Sequence, residues 1–382
     1  MTDAPLRSEF PTLEQTTYLN SCSLCALSQR VRGAVRTHLE AWETRGASAW
    51  YDTWLGVLDD TRERFADLIG AGVDEVALLA NVSTAMNAIA SGLTYEDRSR
   101  VVTTELDFPT VARTWQDRPA ADLEILDSPD GIRVPAETIE DALDDDTAAL
   151  ATSHVFYATG AVQDIQRLSE AAADAGALSI VDAYQGTGQL GTDVDEVGCD
   201  VLVTGGLKWL LGGTGIAYLY VDRDTQRQLS PDMAGWFGDE RPFAFDTTTF
   251  RPRQDARRFE MGTPSLPSVH AGNAGLAIVD ELGPATICER QTELTTDLVD
   301  RLHDRGFSIE TPLDAEERAG IVMVDVEDPE SVVQRLAKRD IIVDHRPGRV
   351  RVSPYFYNTI DEIEQIAQAL DQVTDLDDEP PT

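Results

Sequence analysis

Residues 177–221 read ALSIVDAYQGTGQLGTDVDEVGCDVLVTGGLKWLLGGTGIAYLYV. This stretch holds three short apolar runs, at 177–182, 200–205 and 215–221, which are separated by segments rich in glycine and polar residues. Such runs are typical of strands that are covered on both faces, as in a mostly parallel sheet. The stretch therefore predicts the central strands of an α/β domain.

The same pattern extends toward the N-terminus. β-rich runs recur at 75–80, 100–104, 123–126 and 149–155, with helical spacing between many of them. Together they predict a large α/β domain over residues 16–265, preceded by an N-terminal arm over 1–15.

The C-terminal third has a different pattern. A long helical pattern is broken at Gly283 and Pro284, and short strands then alternate with helices. This alternation predicts a small α+β domain over residues 266–375. The acidic, proline-containing residues 376–382 are predicted to be a disordered tail.

Charge dominates the composition of this 382-residue chain. There are 31 Lys and Arg residues against 68 Asp and Glu, which gives a formal net charge of −37. Such a surface repels phosphate backbones, so we expect no nucleic-acid partner. Molar salt would screen the self-repulsion of so many carboxylates, so the bias indicates a halophile with a salty cytosol.

The hydropathy of the sequence predicts no membrane-spanning segment. No run of about eighteen apolar residues exists, and the N-terminus lacks the basic and apolar regions of a secretory signal. We therefore expect a cytoplasmic protein that does not bind a membrane.

Lysine is nearly absent, and Lys208 is one of only two, the other being Lys338. Lys208 follows the apolar run 200–205 and has apolar neighbours. A buried ammonium is costly unless it is neutralised or used covalently, and arginine cannot act as an amine nucleophile at neutral pH. Lys208 is therefore predicted to form a Schiff base. The alternative is a structural lysine whose ammonium reaches solvent at a domain edge.

Four further residues suit a phosphorylated aromatic cofactor. Asp182 ends a predicted strand, where a carboxylate can keep the pyridine nitrogen of pyridoxal phosphate protonated, although a turn or cap residue would look the same. Ser83 and Thr84 begin a predicted helix and can bind phosphate, which is compatible with simple helix capping. Phe108 follows another strand and can stack on a ring, or it can belong to the core.

Arg351 is the natural partner for a substrate carboxylate, because a guanidinium binds a carboxylate with two parallel hydrogen bonds. Arg349 lies on the same face of the predicted strand, so periodicity does not choose between them. His154 precedes a predicted strand end but is expected to be a core histidine. No set of histidines or cysteines has metal-ligand spacing, and the lone pair Cys22 and Cys25 predicts neither zinc nor an obligatory disulfide. No metal is expected.

Taken together, these residues resemble the class V aminotransferase family of pyridoxal-phosphate enzymes, which includes cysteine desulfurases, kynureninases and isopenicillin-epimerase-like proteins. The resemblance covers nearly the whole chain and is carried, in order, by YLNS (18–21), NVSTAMN (81–87), ELDFPT (105–110), SHVFYATGAVQDI (153–165), VDAYQGTGQL (181–190), TGGLKWLLGGTGIAYLYV (204–221), RRFEMGTPS (257–265) and RVSPYFYNT (351–359).

The resemblance implies fold type I of the pyridoxal-phosphate enzymes, with a seven-stranded sheet, and a homodimer with a shared active site. It makes Lys208 the Schiff-base lysine, Asp182 the partner of the ring nitrogen and Gln185 a contact of the ring hydroxyl. The other implied positions are phosphate contacts at Ser83, Thr84 and Trp236, a contact to the partner subunit's phosphate at Thr263, ring stacking at Phe108, a cofactor contact at Tyr157, and substrate contacts at Arg351 and Asn20.

Departures from the family pattern bear on the reaction. No cysteine lies between Asp340 and Ser353, where desulfurases place their sulfur-accepting cysteine. Leu207, Tyr157 and Val111 also differ from desulfurase or kynureninase residues. The resemblance therefore ranks an aminotransferase first. A β-lyase, kynureninase-like or cysteine-lyase-like without the loop cysteine, ranks second. The rivals from other classes are a non-catalytic scaffold of the same fold and a phosphate-binding regulatory module.

Overall fold

The computed structural model describes residues 4–374. The predicted tail at 376–382 lies outside the described residues. In chain order the strands and α-helices are β1 (Thr17–Tyr18), α1 (Gln29–Arg45), α2 (Leu55–Leu68), β2 (Val76–Leu79), α3 (Val82–Gly92), β3 (Arg100–Thr104), α4 (Pro109–Gln116), β4 (Asp122–Leu126), α5 (Ala136–Glu140), β5 (Thr147–Ser153), α6 (Ile165–Ala175), β6 (Leu178–Asp182), α7 (Val194–Val197), β7 (Val201–Gly205), β8 (Ala217–Val221), α8 (Arg223–Gln228), α9 (Leu266–Leu282), α10 (Pro284–Asp304), β9 (Val322–Asp325), α11 (Pro329–Ala337), β10 (Ile341–Ile342), β11 (Asp344–Arg346), β12 (Arg349–Val352) and α12 (Ile360–Thr374). Shorter turns of 3₁₀ helix span Arg7–Glu9, Pro11–Glu14, Gly46–Ser48, Val73–Glu75, Trp236–Gly238, Pro242–Ala244 and Ala256–Phe259, and a π turn spans Trp50–Trp54.

The main sheet has seven strands in the order β2-β8-β7-β6-β5-β3-β4. Strands β4, β3, β5, β6 and β7 run parallel, whereas β8 is antiparallel to both of its neighbours. All seven predicted strand runs form this sheet, so the α/β prediction is confirmed. Strands β5, β7 and β8 are buried throughout, because helices cover both faces of the sheet.

Two hydrophobic clusters pack against opposite faces of the sheet. Alternate residues of β7 divide between them: Leu202 belongs to the cluster with α2 and α9, whereas Val201 and Val203 belong to the cluster with α3 and α4. This alternation follows from the two-residue period of a strand. The sheet is therefore the middle layer of three.

The C-terminal part contains a second, antiparallel sheet of three strands in the order β11-β12-β9. Helices α10, α11 and α12 supply the apolar residues that cover it. The predicted break between α9 and α10 is present, because Gly283 has a φ of 77° and Pro284 begins the next helix. The division into domains near residue 265 stays a prediction.

Strand β1 pairs in parallel with β10, so residues near the two ends of the chain are joined. Arg7 adds an ion pair to Glu362 of α12 at 2.9 Å. These contacts place the segment after β1 against β12, where the bridge between Asn20 and Ser353 continues the pairing. Within residues 4–374, no helix has the length and apolarity that a membrane crossing requires.

Candidate active site

The carboxyl ends of β5, β6 and β7 meet at one edge of the main sheet. Ser153 is in register with Asp182, and Asp182 is in register with Val203. Lys208 lies three residues beyond the end of β7. Open α/β sheets bind their ligands at this edge, so the strand order alone brings Asp182 and Lys208 together.

Lys208 is half-buried, and its Nζ lies 4.0 Å from the ring centre of Tyr184 and 5.8 Å from that of Phe108. Burial lowers the pKa of Lys208 to about 8, and the cations of Arg351 and Arg346 act in the same direction. No residue among 4–374 forms a hydrogen bond or an ion pair with its ammonium. An amine in this setting is deprotonated more readily than an ordinary lysine and is free to react as a nucleophile.

The glycines after Lys208 serve packing. A Cβ on Gly212 would lie 2.7 Å from Cα of Gly272 in α9, and a Cβ on Gly215 would lie 2.5 Å from Oγ of Ser268. The loop therefore needs glycine in order to lie against helix α9, and the sequence here lacks the order of a nucleotide-binding loop.

Asp182 is buried, and its Oδ1 accepts a hydrogen bond of 2.9 Å from the Tyr184 N–H. Burial raises the pKa of Asp182 to about 6, although the Tyr184 N–H and the Lys208 cation oppose that rise. Its Oδ2 accepts no hydrogen bond from the described part of the chain. A buried carboxylate with one free oxygen suits a protonated ring nitrogen, because that group supplies both a donor and a positive charge.

Asp107 was not among the predicted site residues, and it holds this edge of the sheet together. Its buried carboxylate accepts hydrogen bonds from the hydroxyls of Thr103, Thr104 and Thr152 and from the N–H groups of Thr104 and Ser153. Burial raises its pKa. An acidic residue three positions after the strand that ends in Thr103 and Thr104 was the available sequence signal. The network joins the end of β3 to the end of β5.

Phe108 follows Asp107, and the network fixes its backbone. The Phe108 side chain is 41% exposed, so it is not a core residue. Its ring meets that of Tyr157 edge-on, with the centres 5.1 Å apart. Phe108, Tyr157 and Tyr184 thus form an aromatic wall beside Lys208, which suits a flat ring.

The start of α3 carries the predicted phosphate contacts. Asn81 caps the helix, because its side chain accepts from the N–H and the hydroxyl of Thr84. The Ser83 hydroxyl lies 3.0 Å from that of Thr110. Neither Ser83 nor Thr84 is the cap, so the simple capping alternative is wrong. Thr84 and Thr263 line the same cavity of this chain.

Gln185 is buried with both ends of its amide engaged. Its Nε2 donates to the Cys22 carbonyl at 3.1 Å, and its Oε1 accepts from the Trp209 indole at 2.7 Å. It therefore ties the N-terminal segment to the loop of Lys208. One amide N–H remains for a cofactor oxygen, so its predicted contact with a ring hydroxyl stays a prediction.

Arg351 on β12 is 1% exposed. It donates to the Tyr157 carbonyl at 3.0 Å, to the Ser23 hydroxyl at 2.6 Å and to Asp344 Oδ2 at 2.8 Å. Its Nε is buried without a partner among the residues that the structure describes. Arg349 instead pairs with Glu310. The structure thus places Arg351, and not Arg349, among the groups around Lys208.

Asn20 and Trp236, two of the predicted site residues, differ in how close they lie to the rest of the site. Asn20 is half-buried opposite Ser353, two residues from Arg351, and so lies at the arginine end of the site. The exposed ring of Trp236 packs against Phe243 and Phe245, and none of its ring contacts involves another predicted site residue. Its predicted phosphate contact gains no support within this chain.

His154 is buried, and burial lowers its pKa to about 4. Its Nδ1 has no hydrogen-bond partner in the described range. A Cβ on Gly186 would lie 2.5 Å from that atom, so glycine is needed beside the ring. A neutral, buried histidine is what the sequence predicted. Residues 4–374 contain no cluster of side chains suited to a metal ion.

Residues 18–366 match the sequence model of the family described as Aminotransferase class-V. The chain belongs to this family. It is 34% identical over 370 residues to an uncharacterized aminotransferase, YcbU, of Bacillus subtilis, with 96% of each chain covered. It is 27% identical to a kynureninase of Geobacillus thermodenitrificans, covering 96% of this chain and 90% of that one. The solved apo structure of a cysteine desulfurase from Thermococcus onnurineus superposes with a TM-score of 0.88 at 22% identity, covering 98% and 99% of the two chains.

As a class V aminotransferase family member, the chain is a pyridoxal-phosphate-dependent enzyme that acts on an amino acid. The site residues fit this cofactor on structural grounds. Among the described residues, the Lys208 amine has no hydrogen-bond partner and one buried carboxylate oxygen of Asp182 has no donor, and the exposed ring of Phe108 lies beside the amine. The scaffold alternative is not supported, because the relatives of the family are enzymes.

Proposed function

We propose that this protein is an aminotransferase that moves the amino group of an L-amino acid to a keto acid. The observation that carries the proposal is that the half-buried amine of Lys208 and the buried carboxylate of Asp182 lie at the same edge of the sheet, beside the exposed ring of Phe108. Within residues 4–374 the amine and one Asp182 oxygen have no hydrogen-bond partner. Pyridoxal phosphate bound here would supply an electron sink for the bond pair released at the substrate Cα.

The chain's own groups divide the remaining work. Lys208 Nζ would take the proton from Cα and deliver it to a carbon of the bound cofactor, since a lowered pKa suits a general acid and base near neutral pH. Asp182 holds a proton at the ring nitrogen and so keeps the ring electron-poor. Thr84 and Ser83 at the start of α3 offer hydroxyls to the phosphate. Arg351 orients the substrate through its carboxylate.

The experiment is an absorbance spectrum of the purified protein in high salt, before and after a panel of L-amino acids. An aminotransferase loses its visible cofactor band stably to the pyridoxamine form and releases one keto acid. Addition of a second keto acid then restores the band. A protein that binds no cofactor, or one that converts no amino acid, would contradict the proposal.

A β-lyase is the second candidate, and the kynureninase relatives favour it. In that case the visible band persists while ammonia or a side-chain fragment, such as sulfide or an aromatic acid, accumulates. The same spectra with product analysis separate the two reactions. The sequence between Asp340 and Ser353 lacks a cysteine, so we expect no persulfide on this loop.

We further propose that the enzyme is a homodimer that shares its active sites. Trp42, which is 61% exposed, and Leu39 lie on α1, and Tyr51 follows it. A groove is lined by Trp42, Trp50, Trp54, Pro264 and Leu266, and Pro264 also lines the cavity that contains Thr263, the predicted contact to the partner's phosphate. Exposed apolar surface of this kind is typical of an interface.

Light scattering in high salt tests the dimer. Trp42→Glu should convert it to a monomer with reduced cofactor affinity, because a charge would enter an apolar interface. Leu313→Glu is a matched control, since Leu313 is 62% exposed on another part of the chain. A monomeric wild type, or equal effects of the two variants, would contradict the shared-site dimer.

We also propose that the protein works in a salt-rich cytoplasm. The net charge of −37 supports this proposal, because mobile cations screen repulsion between carboxylates. The midpoint of thermal unfolding should rise from dilute buffer to molar KCl. A midpoint that is unchanged or falls would argue against adaptation to salt.

A further inference from the structure

Two guanidinium groups converge on one carboxylate oxygen at the arginine end of the site. Asp344 Oδ2 accepts from Arg351 Nη2 at 2.8 Å, from Arg346 Nη1 at 2.9 Å and from the Ser23 hydroxyl at 2.8 Å. Its Oδ1 accepts from the His345 N–H, at 2.8 Å, and from no other group in residues 4–374. The charges of these three side chains therefore sum to +1 and not to +2.

This cluster lies against the aromatic wall that borders Lys208. The Arg346 guanidinium carbon is 6.0 Å from the ring centre of Tyr157, and Arg351 bonds the Tyr157 carbonyl at 3.0 Å. The Tyr157 ring in turn contacts Phe108, whose ring centre is 5.8 Å from Lys208 Nζ. The carboxylate of a substrate whose Cα lies at Lys208 is therefore close enough to interact electrostatically with Arg346, Arg351 and Asp344.

Asp344 keeps its charge at every working pH. Burial alone would raise the pKa of Asp344, but hydrogen bonds from Ser23 and the His345 N–H and the charges of Arg346 and Arg351 lower it to about 2. Asp344 therefore neutralises the charge of one arginine throughout the working pH range. Arg351 still has a buried Nε without a partner among residues 4–374, so a donor is left for an incoming anion.

We propose that Asp344 determines which substrate charge the enzyme prefers. Because Asp344 neutralises one of the two arginines, the site is matched to a single carboxylate. The enzyme therefore selects amino acids with uncharged side chains over those with a second carboxylate. This inference rests on the proposed action on amino acids. Asp344 acts through the arginines and does not touch the reacting atoms, so it is a specificity-determining residue and not a catalytic one.

The test compares ligands that have the same shape and differ in charge. L-Glutamine against L-glutamate and L-asparagine against L-aspartate give ratios of kcat/KM, and succinamate against succinate gives a ratio of dissociation constants by calorimetry on the holoenzyme. Asp344→Asn should shift each ratio toward the dianion by about tenfold, because one fixed negative charge is removed beside a partly buried site.

Three variants separate a charge effect from a structural one. Asp344→Glu should retain the wild-type ratio, since it keeps the carboxylate. Glu310→Gln removes the carboxylate that pairs with Arg349, two residues from Arg351, and should leave the ratios unchanged. Arg346→Met should shift the ratios away from the dianion, which keeps the test decisive even if Asp344→Asn does not fold.

The outcomes also separate this inference from the proposed function. A wild type that prefers the dianions overturns the inference. So do folded variants with an intact cofactor band whose affinities for both members of a pair change in parallel. In both cases the proposed function stands. A wild type that acquires no cofactor band overturns the proposed function and the inference together.

Discussion

The two ends of the active site are built in different ways. The cofactor end, defined by Asp107, Asp182 and Lys208, lies at or just beyond the carboxyl ends of β3, β6 and β7, which are parallel strands of the main sheet. The substrate end, defined by Ser23, Asp344 and Arg351, is assembled from segments that lie 328 residues apart in the case of Ser23 and Arg351. Asp182 ends β6, and Asp107 and Lys208 lie three residues beyond the ends of β3 and β7, so their place is a consequence of topology. The substrate end exists only because β1 pairs with β10 and Asn20 with Ser353.

The largest effect should follow from Lys208→Ala at the cofactor end. Loss of the amine that moves the proton at Cα should lower kcat by at least about 1000-fold, as expected for a covalent and general-base group. The measurement is turnover of the best substrate with saturating cofactor. Lys338→Ala, at the other lysine, is the control and should have no effect. A Lys208→Ala enzyme with substantial activity would remove the basis of the proposed function.

The next effect belongs to the substrate end. Arg351→Lys loses the planar fork that holds a carboxylate, so kcat/KM should fall by about 100-fold while cofactor affinity is retained. Steady-state kinetics together with cofactor titration measure the two quantities. Arg349→Lys, whose arginine pairs with Glu310, should change kcat/KM little. Equal losses of kcat/KM in Arg351→Lys and Arg349→Lys would contradict the assignment of Arg351 as the substrate-binding arginine.

A moderate loss of stability should follow from Asp107→Ala. The change leaves the N–H groups of Thr104 and Ser153 and three hydroxyls without their acceptor, which should lower the free energy of unfolding by about 2–4 kcal/mol. Denaturant unfolding of the cofactor-free protein in high salt measures it. The exposed Asp97 supplies a control, since Asp97→Ala should be neutral. A neutral Asp107→Ala would mean that the network does not hold β3 and β5 together.

The smallest effect is a pH-dependent gain in stability for Asp182→Asn. Burial raises the pKa of Asp182 in the folded protein to about 6, above the ordinary value of 3.8. The folded state therefore binds more protons than the unfolded state between these values, and wild-type stability falls as the pH rises through that window. Cofactor-free Asp182→Asn should thus melt a few degrees higher than the wild type above pH 6.

The same comparison should vanish on acidification. Below about pH 3.8 both states of the wild type carry a neutral carboxyl, so the two melting temperatures should converge. A difference that is independent of pH would point to packing and not to the charge. In the holoenzyme, Asp182→Asn should lower turnover, because an amide does not keep the ring nitrogen protonated.

Much of the cofactor end could be predicted from the sequence, and less of the substrate end. Lys208 and Asp182 were identifiable because Asp182 ends an apolar strand and Lys208 comes shortly after another, and parallel strands align their carboxyl ends. Asp107 was missed because two of its five donor groups belong to β5, which lies more than forty residues away. Asp344 was missed because its role depends on two arginines and a serine that only folding brings together.

The sequence by itself determined the seven strands of the main sheet, the break between α9 and α10 and the lysine of the site. These features depend on local periodicity, on glycine and proline geometry, and on the rarity of lysine in this chain. The tertiary structure alone decided that Arg351 and not Arg349 faces the site, that Asn81 caps α3, and that Asp344 compensates an arginine. The physical reason is that the two-residue period of a strand tells which residues share a face, and it puts Arg349 and Arg351 on the same one. Which partner each charge finds depends on the distant segment that packs there.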